Sequence, residues 1–274
     1  MGKISNALER YKKEKSIKAE RLPIREPENL IKKGPESPPI RELIIQNGFS
    51  PKLVVLSVPE SLDAVNFEIL RSQILFPKKG ERPKTIMVTS AFPGEGKTFV
   101  AANLAVSLAL GIDEYVLLVD CDLRNPNLHE MLGYSNTEGL CEYLTGRREL
   151  PDLLIRTKME SLSLLPAGNS SPNPSELLAS NMMKGFLEEV KGRYQDRFII
   201  IDLPPNQVTA EANVLANYVD GIIFVVMAGK SPREIIQRSI ENLGKEKILG
   251  IVFNGYVQSY KSYRKYYKNY YKKK

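Results

Sequence analysis

Eight consecutive residues, Ala91-Phe92-Pro93-Gly94-Glu95-Gly96-Lys97-Thr98, place two glycines, a lysine and a hydroxyl in the Gly-x-x-x-x-Gly-Lys-Thr spacing. Ala91 stands where that pattern has its first glycine. Gly94 and Gly96 have no Cβ, so their backbone amides can turn inward and approach phosphate oxygens. A helix beginning at Lys97 adds the positive end of its dipole. The Lys97 ammonium is placed for β/γ-phosphates and the Thr98 hydroxyl for Mg²⁺. Pro93, Gly94, Glu95, Gly96, Lys97, Thr98 and Phe99 are therefore the candidate nucleotide-binding run, with ATP and Mg²⁺ as the expected cofactors.

Two further segments end in acid. Val116-Leu117-Leu118-Val119-Asp120-Cys121-Asp122-Leu123-Arg124 sets two carboxylates and a guanidinium just past an apolar run, and Phe198-Ile199-Ile200-Ile201-Asp202 sets one more. Mg²⁺ prefers hard oxygens: one or two carboxylates, a hydroxyl, phosphate and water. Asp202 suits the Walker B role, holding the metal or its waters. Asp120 suits a second metal contact or a base toward an attacking hydroxyl. Thr98, Asp120 and Asp202 are the metal candidates; Lys97, Asp120 and Asp122 are the catalytic candidates. A strand-end aspartate can instead cap a helix, but three such motifs in this order favour chemistry. His129 is the sole histidine, so it reads as a packing residue. Cys121 lies between two carboxylates, which oppose a thiolate.

The elements that must carry these residues are legible as alternating runs. Strands are expected at Thr85–Ser90, Tyr115–Asp120, Leu162–Pro166, Phe198–Asp202, Gly221–Met227 and Leu249–Phe253, several of them unbroken aliphatic segments suited to burial on both faces of a parallel sheet. Helices are expected at Lys97–Leu110, Ser175–Tyr194 and Pro232–Leu243. Repeated β-α units predict an α/β fold, a doubly wound and mostly parallel sheet with helices on both faces. In such sheets ligands bind at the carboxyl ends of the strands, where the motifs fall.

The 274 residues suffice for one such domain with extensions, and two cysteines fit a reducing compartment. No apolar run reaches the roughly 18 residues of a transmembrane helix, and the amino terminus has no secretory h-region. A cytoplasmic location is expected. The net charge of +7 is uneven. Residues 1–40 hold ten Lys/Arg against six Asp/Glu, residues 256–274 hold seven and none, and the middle sums to −4. Three regions follow: a basic extension and Pro-rich linker (1–45), a nucleotide-binding domain (46–255) and a Tyr/Lys-rich tail (256–274). Ile4, Leu8 and Tyr11 are spaced for a short amphipathic helix, and Pro23, Pro27, Pro35, Pro38 and Pro39 mark an extended linker.

Seven of the 13 tyrosines fall in the last 19 residues. After Val257 this segment has no aliphatic residue to bury, so it reads as a mobile tail. Its tyrosines could be phosphate acceptors drawn by basic charge to the active site of another copy. Each phosphate adds about −1.5 to −2 charges, so modifying four would carry the tail through neutrality. The rings and lysines could instead bind nucleic acid, or the tail could serve solubility alone.

Taken together, Ser90–Thr98, Leu118–Arg124, Ile201-Asp202-Leu203-Pro204-Pro205 and the tyrosine cluster resemble the bacterial tyrosine kinases (BY-kinases), of the CpsD/CapB type and the cytoplasmic domain of Wzc-type exopolysaccharide proteins. The resemblance runs from about Ser50 to the end and includes Leu164-Leu165-Pro166-Ala167-Gly168 and Pro172–Leu178. It places the fold among SIMIBI, MinD-like P-loop NTPases. It implies autophosphorylation in trans, with Tyr260, Tyr263, Tyr266, Tyr267, Tyr270 and Tyr271 as acceptors. Asp120 would activate the tyrosine hydroxyl, Asp122 and Asp202 would support Mg²⁺, Arg124 would join the nucleotide site, and Asn254 would meet the base. It further implies control of exopolysaccharide or capsule synthesis or export, self-association, and a Wzz/CapA-like membrane polysaccharide co-polymerase that recruits the kinase to the inner face of the plasma membrane and activates it. A cognate tyrosine phosphatase would complete the cycle, and no nucleic acid is expected. The extension before residue 45 is similar to that of autokinases beside exosortase-linked systems. Min and Par partition ATPases share the nucleotide motifs but lack the tyrosine cluster, and they usually carry an extra lysine near the loop's start, absent here. An ATP-switched assembly or partition ATPase of that ParA/MinD-like kind, with its tail on nucleic acid or membrane, is the alternative. The sequence departs from the kinase pattern at Val65 and Glu68, where a Glu-x-x-Arg-x-x-Arg stretch for ring packing keeps only Arg71. Leu203 stands where Thr or Ser is common, and Glu211 where Asp is.

Overall fold

The computed structural model describes residues 48–193 and 197–256. The amphipathic and Pro-rich stretches expected before residue 45, and the tail tyrosines from Tyr260 onward, lie outside the described residues.

In chain order the elements are α1 (Val54–Ser57), α2 (Leu62–Leu75), β1 (Thr85–Ser90), α3 (Lys97–Ala109), β2 (Tyr115–Asp120), α4 (Leu128–Met131), α5 (Leu140–Leu144), α6 (Leu150–Leu153), β3 (Ile155–Arg156), β4 (Leu162–Leu165), α7 (Pro174–Leu178), α8 (Asn181–Arg193), β5 (Arg197–Asp202), α9 (Glu211–Leu215), β6 (Gly221–Met227), α10 (Arg233–Leu243) and β7 (Ile248–Asn254). The strands form one sheet in the order β3-β4-β2-β5-β1-β6-β7. Every pairing is parallel except that of the two-residue β3 with β4.

Strand period two explains the aliphatic runs, because alternate residues supply two separate cores. Ile86, Val88, Val116, Leu118, Phe198, Ile200, Ile223 and Val225 pack on the face covered by α1 to α4. Met87, Leu117, Val119, Ile199, Ile201, Ile222, Phe224 and Val226 pack on the face covered by α5 to α10. The doubly wound sheet expected from the sequence is the one observed. No helix among the described residues is long and apolar enough to cross a membrane.

One expected helix is broken. The run Ser175–Tyr194 is two elements, because Ser180 leaves the helix to cap α8: its hydroxyl accepts from the Met183 amide at 3.2 Å. Several elements escaped the sequence reading: β3, α2 and the short helices α1, α4, α5, α6 and α9. The β3 edge is too short to show a period. The apolar positions of α2 face α3, with Phe67 and Phe99 edge to face at 5.7 Å, and no glycine or proline within α2 announced its bounds. Arg71 of α2 donates to the Ser107 carbonyl at 3.0 Å, inside the domain, while Glu68 is exposed.

Candidate active site

Because β5 lies between β1 and β2, the chain brings three strand ends together that are far apart in sequence. Asp120 and Asp202 are direct partners across the β2–β5 ladder, and β1 runs beside β5 into the glycine loop. Gly94 and Gly96 take φ of 76° and 90°, the left-handed region where a side chain is strained. At Gly96 a Cβ would also lie 2.0 Å from Asn254 Nδ2. Only glycine fits there.

Lys97 and Thr98 open α3 and turn toward the acids. The Lys97 ammonium is 2.6 Å from Asp122 Oδ2 and 3.9 Å from Asp202 Oδ1. The Thr98 hydroxyl donates to Asp202 Oδ2 at 2.6 Å. Burial works against the Lys97 charge, yet the carboxylates of Asp202 and Asp122 outweigh it and raise its pKa. Burial pushes the Asp202 carboxyl up to about 6, although Lys97 and the Thr98 hydroxyl both favour its charge. Its Oδ1 is buried and has no hydrogen-bond partner among the described residues.

That orphaned oxygen, beside a hydroxyl on the same carboxylate, is a hard-oxygen donor set that fits Mg²⁺. Among the described residues no cluster of three or more His, Cys, Asp or Glu could hold a metal alone. A Mg²⁺ here would share its shell with phosphate oxygens and water, as it commonly does.

Asp120 is differently employed. Its Oδ1 accepts from the Asp122 amide at 3.1 Å, and its Oδ2 from the Asn127 and Leu128 amides at 3.2 and 3.1 Å. It therefore caps the start of α4 while sharing the buried floor with Asp202. Burial and the Asp202 charge push its pKa up to about 8, against those amides. Cys121 is buried, and burial with the flanking carboxylates drives its thiol well above the ordinary value. His129 is buried in α4, and burial lowers its pKa.

Three other expected nucleotide contacts have partners inside the protein. Arg124 is half exposed, with Nη2 2.8 Å from Ser175 Oγ and 3.6 Å from Glu211 Oε1. Burial opposes the Glu211 charge, but the hydroxyls of Ser175 and Thr209 with Arg124 hold its carboxyl below the ordinary range. Asn254 donates to the Glu95 carbonyl at 2.9 Å and accepts from the Gly255 amide at 2.9 Å, so it braces the loop from beneath. Phe99 packs its ring on Phe67.

Glu95 is the site residue whose side-chain role the sequence did not show. It is fully buried. Its Oε2 accepts from the Phe92 amide at 2.7 Å, and its Oε1 from the Met227 amide at 3.3 Å and the Ser231 hydroxyl at 2.6 Å. The carboxylate thus sews the loop to the end of β6. The signal was faint: an acid between two glycines looks solvated, and two of its three partners, Met227 and Ser231, lie 132 and 136 residues away.

Residues 82–273 match the family described as ParA, NUBPL iron-transfer P-loop NTPase. Tyrosine-protein kinase YwqD of Bacillus subtilis (strain 168) is 36% identical over 205 residues, covering 74% of this chain and 85% of that protein. The crystal structure of the chimerical protein CapA2B2 superposes with a TM-score of 0.69 at 31% identity, over 79% of this chain and 96% of the other. The kinase domain of the Escherichia coli tyrosine kinase ETK gives a TM-score of 0.68 at 29% identity, over 78% and 85%. With its phosphate loop, strand-end acids and these likenesses, the chain belongs to the bacterial tyrosine-protein kinases, a branch of the P-loop NTPases.

Proposed function

We propose that this kinase uses ATP to phosphorylate the tyrosines of its own tail, in trans between copies, and so regulates the synthesis or export of an exopolysaccharide or capsule. The observation that carries the reading is the cluster of Lys97, Thr98, Asp122 and Asp202 at the adjoining ends of β1, β2 and β5. In it a phosphate cradle meets buried carboxylates, as phosphoryl transfer requires.

The loop amides and Lys97 would hold the β/γ-phosphates. Lys97 must then exchange its contact with Asp122 for phosphate oxygens, which frees that Asp122 oxygen. Thr98 and Asp202 would hold Mg²⁺, which when bound neutralises phosphate charge. A tail tyrosine Oη attacks the γ-phosphorus and its proton passes to Asp120. The bond to the β,γ-bridging oxygen breaks, and ADP leaves with that electron pair. Burial suits Asp120 to this task, since a base near pKa 8 lies closer to a phenol near 10 than an ordinary carboxylate does. Asp122 would assist it. Tyr260, Tyr263, Tyr266, Tyr267, Tyr270 and Tyr271 are the proposed acceptors, and 1–45, 46–255 and 256–274 the proposed regions.

The partners follow from the same reading: a second copy of the chain, a Wzz/CapA-like membrane polysaccharide co-polymerase as activator, and a tyrosine phosphatase. The likeness to the CapA2B2 chimera supports a co-polymerase that recruits the kinase to the inner face of the plasma membrane. Intact-mass measurement of the full chain with Mg²⁺-ATP tests the core claim. Steps of about 80 Da per added phosphate, mapping to residues 256–274, are expected; an unmodified chain in the presence of its activator sinks it. The ParA match supports a second reading, an ATP-switched assembly module with a nucleic-acid- or lipid-binding tail. A salt-sensitive DNA or anionic-vesicle pull-down lost on deleting residues 256–274 would favour that reading instead.

A further inference from the structure

The turn after β6 brings a cation to the phosphate loop that the nucleotide motif itself does not contain. β6 ends at Met227 and the chain folds back at once, with Gly229 at φ 72° and the Lys230 amide donating to the Met227 carbonyl at 3.2 Å. This turn is tied to the loop on both sides of Lys230. Upstream, the Met227 amide donates to Glu95 Oε1 at 3.3 Å; downstream, the Ser231 hydroxyl donates to the same oxygen at 2.6 Å. Between these ties the Lys230 side chain lies across Gly94. A methyl group built on Gly94 would sit 3.0 Å from the Lys230 ammonium.

The two lysines at the loop differ in a telling way. Lys97 is nearly buried and already paired, to Asp122 and Asp202. Lys230 is exposed, and among the described residues no carboxylate lies within ion-pair distance of it. An exposed ammonium so placed can accept an anion, and among the described residues it has no carboxylate partner to surrender first. It also stands over the glycine whose backbone the loop motif reserves for close approach of phosphate. A nucleoside di- or triphosphate brings three to four negative charges to that spot.

We propose that Lys230 is a further nucleotide-binding residue, whose ammonium contacts the phosphate chain of a nucleotide seated over Gly94, with Glu95 as the positioning residue that holds its turn to the loop. The proposal rests on the reading of Ala91–Thr98 as an ATP site. It assigns the polyphosphate two cations of different kinds: Lys97, which must leave Asp122, and Lys230, which is available from the outset.

The test is a titration of the full chain with fluorescently labelled ADP and with Mg²⁺-ATP, at low and at high salt. Lys230→Gln is expected to weaken both about two- to fivefold at low salt, the range of an exposed charge contact. The loss should shrink at high salt, where exposed charges are screened. Lys230→Arg should recover most of the affinity. The nucleotide-free melting temperature of each variant reports on folding, and an exposed, unpaired lysine should leave it unmoved. Wild-type affinity in Lys230→Gln, under conditions where Lys97→Met fails to bind, overturns the proposal and leaves the ATP site standing. A wild-type chain that binds neither nucleotide overturns the ATP reading itself, and this proposal with it.

Discussion

At both ends of the parallel sheet a carboxylate sits where strands stop, and the two ends treat it in opposite ways. At the amino end Asp220, just before β6, accepts from the Lys84 and Thr85 amides at 3.0 and 2.9 Å and pairs with the Lys191 ammonium. Burial would raise its pKa, but Lys191 and those amides hold it below the ordinary carboxylate range. At the carboxyl end Asp120 and Asp202 are fully buried and pushed up, to about 8 and about 6. Asp202 keeps an oxygen with no hydrogen-bond partner among the described residues, the Lys97 ammonium standing 3.9 Å from it. The amino end is complete as folded. The carboxyl end carries charge that protein contacts leave uncompensated, the mark of a site built for a ligand.

The largest break in this contrast should come from Lys97→Met. It removes the one ammonium lodged among the acids, and a tail-phosphorylation rate at least about 100-fold lower is expected by anti-phosphotyrosine detection, by analogy with loss of one preorganised charge contact. A near-normal rate would detach the cluster from the chemistry.

Asp202→Asn should separate function from stability. Labelling should fall about 10- to 100-fold, because the carboxylate proposed to hold Mg²⁺ loses its charge. Nucleotide-free stability should move the other way. The folded pKa of Asp202 lies above its ordinary 3.8, so ionising it as pH rises from about 4 to 6 costs stability. The variant escapes that cost, and its melting temperature at pH 8 should exceed wild type by roughly 2–4 °C, with no gain below pH 4. A lower melting temperature at pH 8 would mean that Thr98 and Lys97 satisfy Asp202 better than its burial implies.

The smallest effect belongs to the amino end. Asp220→Asn should leave phosphorylation rates unchanged while lowering stability by about 1 kcal/mol at pH 7, the scale of one ordinary net hydrogen bond. The folded pKa of Asp220 is depressed, so its contribution is present above the ordinary 3.8 and lost as pH falls through the lowered value. Denaturant midpoints of variant and wild type should therefore converge in acid. A gap that persists there would assign the loss to packing rather than charge.

Much of this was legible in the residues because it depends on local pattern. The aliphatic runs of β1, β2, β5 and β6 could only be strands with two buried faces, and Gly94-Glu95-Gly96-Lys97-Thr98 has one common use. The boundary at Ser180 was missed because a serine side chain can serve as a cap or lie idle within a helix, and only its bond to the Met183 amide decides. Asp120 was read as a strand-end acid and Asp220 was not singled out; the amides that reach Asp220 come from a segment as far as 136 residues away.

The sequence by itself therefore determined the sheet, the phosphate loop and the three acids that follow its strands, since each is written in contiguous residue types and short spacings. Only the tertiary structure decided how those groups are spent. It put β5 between β1 and β2, so that Asp202 meets both Thr98 and Asp120. It turned Glu95 inward to hold the loop, folded Lys97 onto Asp122, and carried Lys230 to Gly94. The physical reason is that a charge acquires its role from what shares its few ångströms of low-dielectric space, and that company is chosen by the packing of distant segments.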